Sequence, residues 1–184
     1  EHNDSELRKK IDEQKKEIVK IAQKITKKRQ AAAAELKNTI EKELKELGIN
    51  HVEFEVRLEK AELNRDGQEK VVFYISPNAG EELKPLAQIV SSGEAARVML
   101  ALKKALINVD TIPVLIFDEI DTGISGEVAQ KVGAILKSLG KNHQVISITH
   151  LPQVAAKASK HFFVYKNHEK EKTFTEIKTL AGNE

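Results

Sequence analysis

The stretch PVLIFDEIDTGISG, residues 113–126, decides the fold. It begins with a short apolar run, Val114 to Phe117, and continues into two acids, Asp118 and Glu119. A run this short and this apolar is typical of a strand that is buried on both faces of a parallel sheet. The acids that follow it are then expected at the rim of the sheet, where ligands of open α/β sheets bind.

The two acids suit the chemistry of nucleotide hydrolysis. One carboxylate can hold Mg²⁺, directly or through water, and the next can polarise an attacking water. This is the Walker B arrangement of nucleotide hydrolases. Taken alone, the dipeptide is explained equally well by a buried strand and a polar turn whose acids only solvate the strand end.

The composition limits the class of protein. The chain has 184 residues, enough for one domain with a core and an appendage. Its 30 basic and 28 acidic residues leave a net charge of +2, which does not by itself predict nucleic-acid binding. The absence of cysteine excludes disulfides and thiolate metal sites. With 4% aromatic residues and no Trp, a base-stacking platform for single strands is disfavoured.

The sequence contains no recognisable targeting signal or membrane-spanning segment. No apolar run approaches the length that spans a bilayer, and the first residues do not resemble a signal peptide. We therefore expect a cytoplasmic protein without a membrane partner. The first residue is Glu1 rather than Met, and we expect a fragment or a processed product.

Residues 5–47 predict one long helix, because they contain no Gly or Pro and are rich in Lys, Glu, Ala and Leu. Positions along one side step alternately by four and three, which is the seam of a coiled coil: Leu7, Ile11, Gln14, Ile18, Ile21 and Ile25. The register changes after Lys28, and Gly48 is placed to end the helix. We expect residues 1–47 to be a coiled-coil arm segment that needs a partner helix.

The remaining residues, 48–184, predict an α/β domain. Alternation at residues 52–58 and an apolar run at 70–76, separated by the turn signal Asn64–Gly67, predict a hairpin. Predicted helices at 94–108, 126–139 and 152–158 then alternate with strands at 114–117 and 144–149, before two terminal strands at 161–166 and 173–180. The helix at 94–108 is apolar all round and is expected to be mostly buried. This order predicts a mainly parallel core.

Three further elements have residues suited to a phosphate site. Ser91 or Ser92 can cap the helix that follows them, and the free amides of its first turn can bind an anion. Asp121 lies in a tight polar loop after the two acids, and His150 follows the strand at 144–149. Each has a simpler explanation when taken alone: a capping sequence, an ordinary strand-to-helix turn and a structural histidine.

The order and spacing of these elements resemble the head of an ABC-type ATPase. More specifically, FDEIDTGISGEVAQKVG and ITHLPQVAAKA, with SPNAGEELKPLA and SSGEAARVMLALK, resemble the carboxyl-terminal half of the RecN-type DNA repair ATPases, relatives of the SMC proteins. The similarity covers about residues 75–166. The long helix is similar to that family's returning coiled-coil arm.

The resemblance implies a role for each site residue. Residues 90–94, including Ser91, Ser92, Gly93 and Glu94, match the signature motif that contacts a nucleotide. Ser92 stands where a Gly is usual, which puts the strength of that contact in doubt. Asp118 matches the Mg²⁺ residue and Glu119 the catalytic base. Asp121 matches the D-loop acid and His150 the switch histidine.

The resemblance also implies what this chain works with. No G-x-x-x-x-G-K-S/T loop occurs in it, and the family carries that loop in an amino-terminal half that precedes the coil. We therefore expect a carboxyl-terminal head lobe that binds ATP and Mg²⁺ weakly or not at all by itself. Its expected partners are the amino-terminal lobe, a second protomer in an ATP-dependent homodimer, and broken DNA ends in bacterial recombinational repair.

Two alternatives remain open from the sequence. One is a structural coiled-coil module with an inactive head, and the other is a different SMC-like ATPase, such as a cohesin-like or nuclease-associated head. The basic residues 24–29 could contact DNA phosphates, but a solvated coil face is the favoured explanation because acids surround them.

Overall fold

The computed structural model describes residues 2–78, 80–88, 92–169 and 172–180, which form two compact units. The first unit contains residues 1–45 and 49–90, and the second contains residues 46–48 and 91–184. The hairpin after the long helix therefore groups with the helix rather than with the later strands. The division of the chain into an arm, residues 1–47, and a head lobe, residues 48–184, remains a prediction.

Helix α1, His2–Glu46, is the main element of the first unit and confirms the predicted long helix. Its 45 residues give it a length of roughly 65 Å at ~1.5 Å per residue. Near its carboxyl end Ile40 and Leu44 are completely buried. Toward its amino end the predicted seam is exposed, with Leu7 at 57% and Ile21 at 52% exposure. An exposed apolar stripe of this kind suits a helix that packs against a partner helix.

The first unit also contains an antiparallel hairpin formed by β1, Glu53–Asn64, and β2, Gly67–Ser76. Gly67 has a φ of 112°, a value that favours glycine, which explains its place in the turn. Polar contacts fix the hairpin to α1 at both ends. The Lys37 ammonium donates to the Phe54 carbonyl (2.9 Å), and the Arg29 guanidinium donates to the Asp66 carbonyl (2.7 Å). Arg29 is thus engaged within the chain.

A short irregular segment ends the described part of the first unit. Strand β3, Lys84–Pro85, pairs antiparallel with β2 and leads into a single 3₁₀ turn, Leu86–Gln88. Ser76 is 2% exposed and its hydroxyl donates to the carbonyls of Asn78 (2.9 Å) and Glu81 (3.1 Å). These bonds close the turn between β2 and β3.

The second unit is built around a parallel strand pair and its crossover helix. Helix α2, Ser92–Ala105, precedes strand β4, Val114–Phe117. Helix α3, Gly126–Leu139, then crosses to strand β5, Gln144–Ser147, which pairs parallel with β4. The register sets Phe117 opposite Ser147. Among the described strands, parallel pairing is confined to β4 and β5.

Burial on the β4–β5 pair follows the two-residue period of strands. Leu115 and Phe117 are 6% and 4% exposed and pack into the core together with α3 residues such as Val132 and Leu139. Val114 and Ile116 point the opposite way and are 41% and 67% exposed. The expectation that this run is buried on both faces is therefore wrong for this chain, because only one face is covered.

Helix α2 is likewise buried on one side rather than all round. Val98, Leu100 and Ala101 are completely buried, whereas Met99 is 44% exposed. The prediction of a mostly buried helix is thus confirmed for the residues that face the core and is wrong for Met99.

The last described elements are helix α4, Pro152–Ala155, and an antiparallel hairpin of β6, His161–Glu169, with β7, Lys172–Leu180. The Tyr165 hydroxyl donates to the Glu176 carboxylate across the two strands (2.5 Å), and this bond lowers the pKa of Glu176. Large apolar side chains remain exposed on both faces of the hairpin: Phe162, Phe163, Val164, Phe174 and Ile177.

Candidate functional site

The two predicted acids and the predicted histidine follow adjacent parallel strands at the same sheet edge. Asp118 and Glu119 come directly after β4, and Thr149 and His150 come shortly after β5. The Ile148 amide donates to the Phe117 carbonyl (2.9 Å), so the two chains remain side by side beyond the last paired residues. The structure thus places these residues along the chain at the same edge of the strand pair.

Glu119 has an unusual backbone conformation. Its φ is 54°, and among the described residues it is the one non-glycine with a positive φ. This left-handed region is strained for a residue with a side chain, and such strain is often found at functional sites. A turn holds the conformation, since the Thr122 amide donates to the Glu119 carbonyl (3.1 Å). The side chains of Asp118 and Glu119 are exposed, so their carboxylate oxygens are accessible from outside the chain.

Asp121 is a buried carboxylate that organises the segment after β5. It is 2% exposed. Its Oδ2 accepts hydrogen bonds from the Thr149 hydroxyl and from the amides of His150 (2.9 Å) and Leu151 (3.3 Å). Burial raises the pKa of Asp121, but the bonds from Thr149 and His150 outweigh it, so the pKa is lowered overall. The carboxylate is therefore ionised and fixes the course of residues 149–151.

His150 is held by its backbone while its ring remains accessible. The side chain is 73% exposed, and its Nδ1 lies 3.2 Å from Oδ2 of Asp121. A proton on Nδ1 would satisfy this carboxylate and leave Nε2 as an acceptor for a group outside the chain. An imidazole oriented in this way can accept a proton or a hydrogen bond from a ligand at the rim.

The start of α2 lies against the loop that carries the acids. An ideal Cβ on Gly93 would lie 3.1 Å from the Thr122 Cβ, 3.2 Å from the Thr122 oxygen and 3.4 Å from the Glu119 oxygen. The predicted site residue Ser91 lies outside the described residues. Ser92 is the first residue of α2, and its side chain also lies outside the described part. Gly93 and Glu94 follow in the first turn, where free amides favour an anion.

Replacing Gly93 with alanine should loosen this contact. The added methyl group requires the Thr122 loop to move by a few tenths of an ångström, and overpacking of this kind costs about 1–3 kcal/mol, which exceeds the ~0.5–1 kcal/mol that alanine gains over glycine in a helix. We expect a lower free energy of unfolding in urea titrations. Gly140→Ala is the matched control, because Gly140 has a φ of −61° and its nearest neighbour would be 3.4 Å away. An equal loss in both variants would contradict the close-contact explanation.

Two residues of this region carry contacts that the sequence did not reveal. Thr149 donates to Asp121 and accepts from the Leu151 amide (3.1 Å). Arg97, in the second turn of α2, donates through Nη1 to the Thr122 carbonyl (2.9 Å). The available signal for Arg97 was its place as a single basic residue four positions after Gly93 in an otherwise apolar helix segment.

Solved structures define the class of fold. The chain is similar to the Smc head domain with a coiled coil and joint from Pyrococcus yayanosii, with a TM-score of 0.57 and 21% identity over 96% of this chain and 33% of that one. It is also similar to the Smc head with an extended coiled coil from Pyrococcus furiosus, with a TM-score of 0.53 and 20% identity over 95% of this chain and 43% of that one. The chain therefore has the fold of part of an Smc head domain with its coiled-coil helix.

Sequence comparison defines the family. Residues 1–173 match the RecF/RecN/SMC N-terminal domain family. The DNA repair protein RecN of Xylella fastidiosa (strain 9a5c) is 43% identical over 148 residues, or 79% of this chain and 27% of the relative. RecN of Rickettsia conorii is 42% identical over 165 residues, or 90% of this chain and 30% of the relative. The chain therefore belongs to the RecF/RecN/SMC family, as a RecN-type member, and it spans less than a third of the length of these relatives.

Proposed function

We propose that this chain is the carboxyl-terminal part of an SMC-like ATPase head that acts in recombinational repair of DNA double-strand breaks. The observation that supports the proposal is that Asp118, Glu119 and His150 follow adjacent parallel strands at the same sheet edge, with His150 held by the buried Asp121. The 43% identity to a RecN DNA repair protein supports the repair role. A cytoplasmic protein and broken DNA ends as the substrate are part of the same proposal.

Asp118 and Glu119 have different roles in the proposed hydrolysis. Asp118 is the residue that would hold Mg²⁺, and Glu119 would accept a proton from the attacking water. Mg²⁺, when bound with ATP, supplies charge neutralisation for the phosphoryl oxygens. His150, with Nδ1 against Asp121, would present Nε2 toward the terminal phosphate.

The start of α2 would contact the nucleotide held by a second protomer. Gly93 and Glu94 lie in its first turn, and Ser91 and Ser92 come directly before them in the sequence. Helix amino termini bind phosphate through free amides and the helix dipole. ATP would thus join two heads, and hydrolysis would release them. Ser92 stands where the family pattern has Gly, so the affinity of this surface for the nucleotide depends most on this position.

Bare apolar surface supports an amino-terminal lobe as partner. Four aliphatic side chains share the uncovered face of the β4–β5 pair: Val114, Ile116, Ile146 and Ile148, with exposures of 41%, 67%, 45% and 58%. The β6–β7 hairpin adds further exposed aromatic side chains. Large exposed apolar patches are typical of interaction surfaces. A lobe that supplies the phosphate-binding loop would cover this face and complete the sheet.

The full-length protein provides the test. We expect ATP hydrolysis in the presence of Mg²⁺ and a shift from monomeric to dimeric heads on adding ATP, measured by sedimentation velocity. Removal of Mg²⁺ with EDTA should abolish hydrolysis, because the phosphoryl charge is then uncompensated. Hydrolysis at an undiminished rate in EDTA, or no hydrolysis with Mg²⁺ present, would contradict the proposal.

A further inference from the structure

We propose that Arg97 is a positioning residue that couples the start of α2 to the loop carrying Glu119, so that a ligand at the helix end adjusts the hydrolytic rim of the same lobe. This inference rests on the proposed function, since it concerns how the two surfaces of that ATPase communicate. It adds a residue that neither the motif pattern nor the fold comparison assigns.

The first support is a two-point contact between helix and loop. Gly93 and Arg97 are four residues apart on α2 and therefore lie on the same face of the helix. Gly93 lies so close to Thr122 and Glu119 that a Cβ there would approach them to 3.1–3.4 Å. One turn further on, Arg97 Nη1 donates to the Thr122 carbonyl (2.9 Å). The helix end and the loop are therefore fixed to each other as one body.

The second support is the burial of the Arg97 charge. The residue is 8% exposed, and its Nε is buried without a hydrogen-bond partner among the described residues. Burial lowers the pKa of Arg97, an effect that the nearby Glu94 carboxylate partly offsets. A buried cation with an incompletely satisfied guanidinium is unfavourable compared with an apolar side chain of similar volume. Core packing alone therefore does not explain an arginine at this position.

The third support is the continuation of the contact beyond the loop. Thr122 closes the turn on the Glu119 carbonyl (3.1 Å). Within the same turn, the Asp121 carboxylate holds the His150 and Leu151 amides. A displacement of the α2 end would therefore reach the strained Glu119 backbone directly and His150 through Asp121. Close packing transmits such shifts because interfaces of this kind deform little.

The variant Arg97→Met tests the coupling in the full-length protein. Methionine fills much of the same volume without a donor, and replacement of a buried ion by an apolar group is often neutral for stability. At saturating ATP and protein we expect kcat to fall by about tenfold through misplacement of the base, with KM changed by less than about twofold. In a Glu119→Gln background, Arg97→Met should leave ATP-dependent dimerisation intact, because the nucleotide contacts themselves remain.

The control Lys103→Met removes a cationic donor from the same helix at a distance from the loop. Lys103 pairs with Asp110 (2.6 Å) rather than with residues 119–122. We expect it to lower the melting temperature without lowering kcat. An unchanged kcat in Arg97→Met, or an equal loss in Lys103→Met, would overturn the coupling role. A wild-type protein without ATPase activity would instead overturn the proposed function, so the two failures are distinguishable.

Discussion

Replacing Glu119 with glutamine in the full-length protein should lower ATP turnover by about a thousandfold and trap ATP-bound heads as dimers. Glutamine keeps the size and polarity of the side chain but cannot accept a proton, and a positioned general base contributes on the order of 10²–10⁴ in rate. Nucleotide binding and head association need no base, so they should persist. Phosphate release measures the first effect, and sedimentation velocity with ATP measures the second.

The matched control for this variant is Glu127→Gln. Glu127 is an exposed acid in the first turn of α3, with its side chain 79% exposed and paired to Lys131 (2.9 Å). Its replacement removes the same charge without touching the rim, so turnover should stay within about twofold. Normal turnover in Glu119→Gln would remove Glu119 from the role of base. Loss of turnover in both variants would point to net charge rather than position.

Replacing Asp121 with alanine should lower the free energy of unfolding by about 3 kcal/mol and abolish turnover. The substitution leaves the Thr149 hydroxyl and the amides of His150 and Leu151 without their shared acceptor. Each buried donor left unsatisfied costs about 1–3 kcal/mol. Turnover is lost because His150 is no longer held at the rim. Urea titration measures the stability, and phosphate release measures the turnover.

The pH dependence of the Asp121 effect has a definite sign. The folded state lowers the pKa of Asp121 below its ordinary value of 3.8. Its contribution to stability is therefore fully present above that value and is lost as the pH falls through the lowered pKa. The stability difference between wild type and Asp121→Ala should thus be constant near neutrality and shrink below about pH 4.

Asp121→Asn separates the charge of this residue from its hydrogen bonds. The asparagine oxygen can still accept from the amides, but the bonds lose their ionic character, so we expect about half of the alanine effect. An alanine variant as stable as wild type would contradict the anchoring role of this carboxylate.

Much of the fold follows from local patterns that the sequence contains. The uninterrupted helix-forming residues of α1 predict that helix to within three residues at each end, and Gly126 and Gly140 predict the two ends of α3. The placement of Asp118 and His150 at one rim follows as well, because parallel strands have their carboxyl ends at the same edge.

Other features, such as the burial of a side chain, depend on its neighbours in the folded protein, and a local sequence pattern does not identify those neighbours. The run Val114 to Phe117 is apolar throughout, and nothing in it indicates that Ile116 remains 67% exposed. The hairpin groups with α1 because of side-chain contacts such as that of Arg29, which span about forty positions in sequence. Similarly, the burial of Asp121 and Arg97 arises from tertiary packing rather than from their neighbours in sequence.

The left-handed backbone at position 119 is unfavourable for the stability of a residue with a side chain, but the proposed chemistry needs the Glu119 carboxylate there. Glycine adopts this conformation without the penalty of about 1 kcal/mol or more that a side chain incurs. A thermostability screen of this chain would thus tend to select glycine there and discard the carboxylate. A design that aims at higher thermostability should therefore keep glutamate at position 119.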